Sequence, residues 1–415
     1  MKNNQLQKDI PSGWTQVTLA DVSHISSGGT PDTNNKDFWD GEINWITPTE
    51  ITKTGKYITL KTEKKITELG LKNSSARLLP KGSLIVCTRA TVGECSISTY
   101  PISTNQGFKN LIPKKDTTVD YLFYFIKSIK PTLMKLGSGS TFLEVSKGDF
   151  EKIKLNFPPL SEQNRIVSVL ETWDKLIEKI TEKIKVKKNV KKGLMQDLLT
   201  GNKRLKGFED KWEFKVLGEI CEIKRGGSPR PIQDYITENK DGLNWLRIGD
   251  VPIGDRFIYK TTEKIKKEGL NKTTLVKEGD FILSNSMSFG RPYIMKINAC
   301  IHDGWLALMD ISSSVNKDFL YYLLSSSRIQ SVFRSISAGS GVQNLKKETV
   351  SEVVIHIPKI KEQTAIANIL TATDNEIDSL EKKLSIFKEQ KRYLLNNLIT
   401  GKIRTPETLS TKLTK

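Results

Sequence analysis

The stretch "PPLSEQNRIVSVLETWDKLIEKI" runs from Pro158 to Ile180, and "PKIKEQTAIANILTATDNEIDSL" runs from Pro358 to Leu380. The pairs Glu162-Gln163 and Glu362-Gln363 stand at the same place in each. Ile166 and Ile366, Leu170 and Leu370, Asp174 and Asp374, and Ile177 and Ile377 also match. A helix start written twice at a fixed offset implies a larger duplication. "LADVSHISSGGTP" (Leu19 to Pro31) matches "LGEICEIKRGGSP" (Leu217 to Pro229), and "INWITPTEI" (Ile43 to Ile51) matches "LNWLRIGDV" (Leu243 to Val251). "LPKGSLIV" matches "VKEGDFIL", "DYLFYFI" matches "DFLYYLL", and "LLTGNKR" (Leu198 to Arg204) matches "LITGKIR" (Leu398 to Arg404). Each copy is too long for a solenoid repeat. It reads as one globular segment followed by one long helix.

Spacing identifies the helices. Apolar residues fall at Ile166, Leu170, Trp173, Ile177, Ile180, Ile184, Leu194 and Leu198, and again at Ile366, Leu370, Ile377, Leu380, Leu384, Phe387, Leu394 and Leu398. Steps of three and four residues are the seam of a coiled coil. Pro158-Pro159 and Pro358 bar an earlier start, Ser161 is a suitable N-cap, and Thr-Gly at 200–201 and 400–401 suits a left-handed C-cap. A helix of ~40 residues is ~60 Å long. The first helix ends where the second globular segment begins, and the ends of a compact domain often lie close together. The second helix should therefore run back along the first as an antiparallel coiled coil, the two copies related by a pseudo-two-fold axis.

The globular segments read as α+β. "GSLIVCTR", "GDFILSNS", "EKIKLNFP" and "SEVVIHIP" are short strands. Lys317 to Ile336 has helical spacing, and in its counterpart Pro131 should interrupt the helix. The division expected is a globular segment over 1–157, a helix over 158–204, a second globular segment over 205–357, a second helix over 358–404 and a tail over 405–415.

Composition bounds the chemistry. The 415 residues carry a formal net charge of +18, which favours an anionic partner, nucleic acid being the commonest large one. No apolar run approaches a membrane span. Cys87, Cys95, Cys221 and Cys300 form no CxxC pair, so a cytoplasmic protein with reduced thiols is expected. His24, His302 and His356 have no metal-ligand spacing, and "CIHD" (Cys300 to Asp303) reads as a strand-edge histidine beside a core cysteine. "GSGST" (Gly137 to Thr141) and "AGSGV" (Ala338 to Val342) lack the lysine of a phosphate loop and read as helix-to-strand loops. "NFPPL" (Asn156 to Leu160) departs from the Asn/Asp-Pro-Pro-aromatic motif of amino-methyltransferases and reads as a proline stop. No catalytic residue and no metal site is expected.

The segment "GST…VSKGDFEKIKLNFPPLSEQNRI" and its repeat "GSG…LKKETVSEVVIHIPKIKEQTAI" resemble the specificity subunit of Type I restriction-modification systems, as do the helix ends "LLTGNKR" and "LITGKIR". The resemblance runs from about Trp14 to Arg404, with Ala338-Gly339-Ser340-Gly341 a looser match than Gly139-Ser140-Thr141. It implies two target-recognition domains, each reading half of a split site in double-stranded DNA. It further implies a coiled coil that sets the gap and docks two methyltransferase subunits, with restriction/translocase subunits beyond them. S-adenosylmethionine, ATP and Mg would belong to those partners, and this chain would hold no cofactor and contact no membrane. Candidate DNA contacts lie in polar loops: Arg89 in "CTRATVGE", Asn285 and Arg291 in "SNSMSFGRP", and Lys224, Arg225 and Arg230 around "KRGGSPR". Arginine and asparagine can pair with guanine and adenine edges respectively. Lys183, Lys185, Lys187, Lys188, Lys191 and Lys192 read as a solvated coil face, with DNA phosphates as the other reading. A scaffold with two protein-binding heads is the alternative from another class.

Overall fold

The computed structural model describes residues 10–137, 144–252, 254–285, 290–338 and 344–409. The chain forms two compact units, Met1–Thr181 with Lys383–Lys415, and Glu182–Lys382. The two long helices span Leu160–Leu198 and Ile360–Ile399, and each unit takes part of both.

Each unit builds the same sheet. In the first unit the strand order is Ser23–Ser27, Phe108–Pro113, Leu84–Cys87, Cys95–Ser98 and Tyr57–Ile58. In the second it is Glu222–Arg225, Trp305–Met309, Phe281–Ser284, Pro292–Met295 and Phe257–Ile258. The last pair is parallel in both and the others are antiparallel. The central strand explains its own composition. Leu84 and Val86 face one core while Ile85 and Cys87 face another, so a strand covered on both sides is apolar throughout. Phe281, Leu283 and Ile282 repeat this in the second unit. A second sheet is built around Trp39–Ile46 in one unit and Leu243–Leu246 in the other. A two-stranded ribbon, Thr15–Thr18 with Lys154–Phe157 or Glu213–Val216 with Val354–Ile357, leads into each long helix.

Two expectations are corrected. Ser161 lies inside the first long helix, and the carbonyl of Pro159 accepts from the N–H groups of Glu162 and Gln163 at 2.9 and 3.0 Å. The helical stretch after Asn316 is two helices, Lys317–Ser325 and Ser327–Ala338, broken at Ser326, whose backbone is extended. The counterpart is interrupted, as expected of Pro131; the break falls at Ile129 and leaves Pro131 in the first turn of Lys130–Gly137, where its missing N–H costs no bond. The seam also changes character along its length. Ile166, Leu170 and Leu398 join the core of the first globular fold, and Leu198, Ile366 and Leu370 join that of the second. Trp173 and Phe387 pack edge to face at 5.5 Å between the helices of the first unit. Gly201 and Gly401, at φ +74° and +72°, end the helices in the left-handed conformation.

Candidate nucleic-acid interface

The repeated helix residues fix each globular fold to the helix pair. The Glu162 carboxylate accepts from Arg404 Nε and Nη2 at 2.6 and 2.7 Å and from the Trp14 indole at 2.9 Å. Glu362 accepts from Arg204 at 2.7 Å twice and from Trp212 at 3.3 Å. Gln163 bridges the carbonyls of Asp116 and Pro158 and accepts from the Thr118 N–H, as Gln363 bridges Ser314 and Pro358 and accepts from the Asn316 N–H. Tyr124 donates to Asp174 at 2.6 Å, and Tyr322 to Asp374 at 2.7 Å. Lys391 and Lys191 complete these pairs from the facing helix. In both units the helix partners run in opposite numerical order, so the pairing is antiparallel. Burial works to raise the Glu162 pKa, but Arg404 and the Trp14 N–H outweigh it and hold the carboxyl below the ordinary glutamate value.

The lysine run is partly spent on this pairing. Lys187, Lys188 and Lys191 meet Glu376, Glu381 and Asp374 at 2.7, 2.6 and 2.5 Å, and Lys185 lies 3.9 Å from Glu182. Lys183 and Lys192 are exposed.

The second unit gathers cations around its Gly-Gly turn. A Cβ on Gly226 would meet the His302 carbonyl at 2.2 Å and one on Gly227 the Lys272 carbonyl at 2.5 Å, so only glycine lets the turn approach so closely. Arg225 Nε donates to the Asp303 carbonyl at 3.2 Å, and Ser228 to the Asp303 carboxylate at 2.9 Å. Arg230 lies 4.0 Å from that carboxylate with 83% of its side chain exposed. Lys224 pairs with Glu222 at 2.8 Å. His302 Nδ1 accepts from the Gly304 N–H at 2.9 Å, as Asn105 Oδ1 accepts from Gly107 at 2.9 Å in the first unit. Asp303 Oδ1 also lies 2.9 Å from that nitrogen, a contact that becomes an ion pair only on a protonated ring.

Asn285 is a candidate DNA contact from its polar surroundings in the sequence. It is 2% exposed, and its amide donates to the Asp303 carbonyl at 2.8 Å, so it supports the turn from within. Arg291 is half-buried beside Tyr293, and its main chain pairs with Ser284. Arg89 is exposed, and its backbone bridges to Glu144. The two arginines are not counterparts. The Ser284 N–H donates to the Arg291 carbonyl as the Cys87 N–H donates to that of Glu94, which places Arg291 opposite Glu94 in the repeat. The sequence reading missed Asp303 and the Trp-Glu-Arg clamp. The repeated Glu162 and Glu362, with the repeated arginines of "LLTGNKR" and "LITGKIR", were the visible signals for the latter.

Neither cysteine nor histidine chemistry is assembled. Burial pushes the Cys87, Cys95 and Cys221 thiols up to about 12 and that of Cys300 to about 11, so all four stay protonated. Among the described residues no group of His, Cys, Asp and Glu is placed to hold a metal, and no helix is long and apolar enough to cross a membrane. Most of the loops at Gly137–Thr141 and Ala338–Val342 lies outside the described residues.

A family model described as Type I restriction modification DNA specificity domain matches residues 11–188 and again residues 209–386. The Type I restriction enzyme MjaIX specificity subunit of Methanocaldococcus jannaschii is 27% identical over 419 residues, covering 96% of this chain and 95% of that one. A solved structure titled for complex assembly and conformational transition of the type I R-M system aligns with a TM-score of 0.63 at 19% identity, over 95% of this chain and 100% of that one. The Type I restriction-modification S subunit from M. genitalium aligns with a TM-score of 0.56 at 16% identity, over 96% and 98% of the two chains.

Proposed function

The chain belongs to the family of Type I restriction-modification DNA specificity domains, and we propose that it reads a bipartite, asymmetric DNA site for partner subunits that do the chemistry. One observation carries this reading. The same sheet and the same Trp-Glu-Arg clamp occur twice, while the Gly-Gly turns differ in charge. Ser26, Ser27 and Asp32 in the first unit stand where Lys224, Arg225 and Arg230 stand in the second. Two copies of one scaffold with different surface chemistry suit two readers of different bases.

The long helices act as the spacer. At 1.5 Å per residue, helices of 39 and 40 residues are about 60 Å long, which suits half-sites one to two DNA turns apart. Two methyltransferase subunits dock on the helix pair and restriction/translocase subunits join them. S-adenosylmethionine, ATP and Mg are held by those partners in the cytoplasm, and this chain contributes no catalytic group. The net charge of +18 suits a DNA partner better than the rival scaffold with two protein-binding heads.

Mapping methylated adenines in a host carrying the methyltransferase subunits, with and without this chain, tests the reading. Methylation at a two-part motif only when the chain is present is the expected result. Unchanged methylation without the chain refutes it.

A further inference from the structure

The Gly-Gly turn of the second unit is built around one acidic residue that the first unit lacks. The Asp303 carbonyl accepts from Arg225 Nε at 3.2 Å and from Asn285 Nδ2 at 2.8 Å. Its carboxylate accepts from Ser228 at 2.9 Å and faces Arg230 at 4.0 Å. In the first unit Gln106 holds the corresponding place. Thr30 donates to its amide oxygen, and Asp32 stands where Arg230 does. The main chain is the same in both. Gly28 and Gly29 donate to the carbonyls of Phe108 and Thr104, and Gly226 and Gly227 to those of Trp305 and Ile301. The difference is therefore one of side-chain charge on a shared frame.

An isolated acid amid arginines would weaken a surface that merely attracted phosphate. The carboxylate costs one unit of the positive charge that drives sequence-independent binding. It makes sense as a means of aiming a guanidinium. Arg230 has one arm of its fork facing the Asp303 carboxylate at 4.0 Å and is otherwise exposed, and it borders a cleft of about 460 Å³ also lined by Arg247, His302 and Trp245. The fully buried Trp245 carries an indole N–H with no partner among the described residues, whereas the matching Trp45 donates to the Gly29 carbonyl at 2.9 Å. The turn and the cleft wall thus differ together between the units.

We propose that Arg230 reads a base of the second unit's half-site through the fork of its guanidinium, and that Asp303 is the residue that positions it. The inference rests on the proposed function and assigns part of that recognition to two residues. A guanine edge is the chemistry that fits, since its O6 and N7 accept both arms of the fork. Arg225, held by a main-chain oxygen that no substitution of Asp303 removes, is left to phosphate.

The test uses the complex of the full chain with the methyltransferase subunits of its own genome. Methylation rates are compared on duplexes carrying every base at each position of the mapped site. Arg230→Lys keeps the charge and loses the fork. It should lose about tenfold or more of discrimination at one position of one half-site, with non-specific affinity and its salt dependence unchanged. Asp303→Asn keeps an acceptor for Ser228 and removes the charge. It should relax the same position about tenfold while raising non-specific affinity, two effects of opposite sign that a simple loss of folding does not produce. Retained discrimination at every position in both variants overturns the proposal, as does relaxation of both half-sites. Arg230 is so exposed that its lysine variant tests the idea even if Asp303→Asn fails to fold. A wild-type complex with no bipartite site would instead refute the functional reading itself, and this inference with it.

Discussion

Removing Arg404 should destabilise the first unit more than neutralising the glutamate it binds. The Glu162 side chain is 3% exposed and Arg404 is 43% exposed. Arg404→Ala strands a buried carboxylate with the Trp14 N–H as its remaining hydrogen-bond donor among the described residues. Breaking a fully buried pair from one side costs about 3–5 kcal/mol, and the partial exposure of Arg404 lowers this to about 2–3 kcal/mol. Glu162→Gln leaves an amide that still accepts from Trp14, and the freed guanidinium reaches water, so about 1 kcal/mol is expected. The double variant removes both charges and should cost less than the sum. Hydrogen exchange read by mass spectrometry suits a chain of two units, because it reports local opening. Amides near residues 160–170 and 394–405 should exchange about 30- to 150-fold faster in Arg404→Ala, at ~1.4 kcal/mol per tenfold. Arg204→Ala should do at least as much beside Glu362, since Arg204 is 29% exposed. A larger effect from Glu162→Gln than from Arg404→Ala, or strict additivity in the double variant, would refute the reasoning.

The same clamp sets a pH dependence. The folded pKa of Glu162 lies below its ordinary value, so its stabilisation is complete above the unfolded value of about 4.3 and drains as pH falls through the lower folded value. Exchange protection around residue 162 should fall with acid in that window, and in Arg404→Ala the slope should shrink. Adding one heptad to both long helices lengthens each by about 10 Å. Methylation mapping should then show a gap wider by about three base pairs at ~3.4 Å each, with both half-sites intact. A changed half-site would count against the helices as a simple spacer.

What the sequence disclosed and what it concealed divide along physical lines. The helix pair was legible because Ile166, Leu170, Ile366 and Leu370 repeat at helical spacing, and periodicity is local information. The central strands were legible because a run such as Leu84–Cys87 must be apolar when covered on both faces. The clamp was not legible. Glu162 and Arg404 are distant in sequence, and spacing says nothing about such a pair. Asn285 looked like a surface polar residue because its sequence neighbours are polar, yet the Asp303 carbonyl satisfies its amide inside the fold. The break at Ser326 was hidden because its flanks, Lys317–Ser325 and Ser327–Ala338, continue an apolar spacing that fits one helix as well as two. Asp303 was missed because its role depends on where Arg225 and Arg230 fold back, a question of tertiary structure.

The most direct test of two independent readers on one helix pair is an exchange of residues 14–157 for the same segment of a relative with a different known site. The exchanged chain is assembled with its methyltransferase subunits, and the methylated adenines are mapped. One half-site should take the relative's sequence while the other half-site and the gap stay as they were. Loss or change of both half-sites, in a chain that still folds and still binds its methyltransferase subunits, would contradict it.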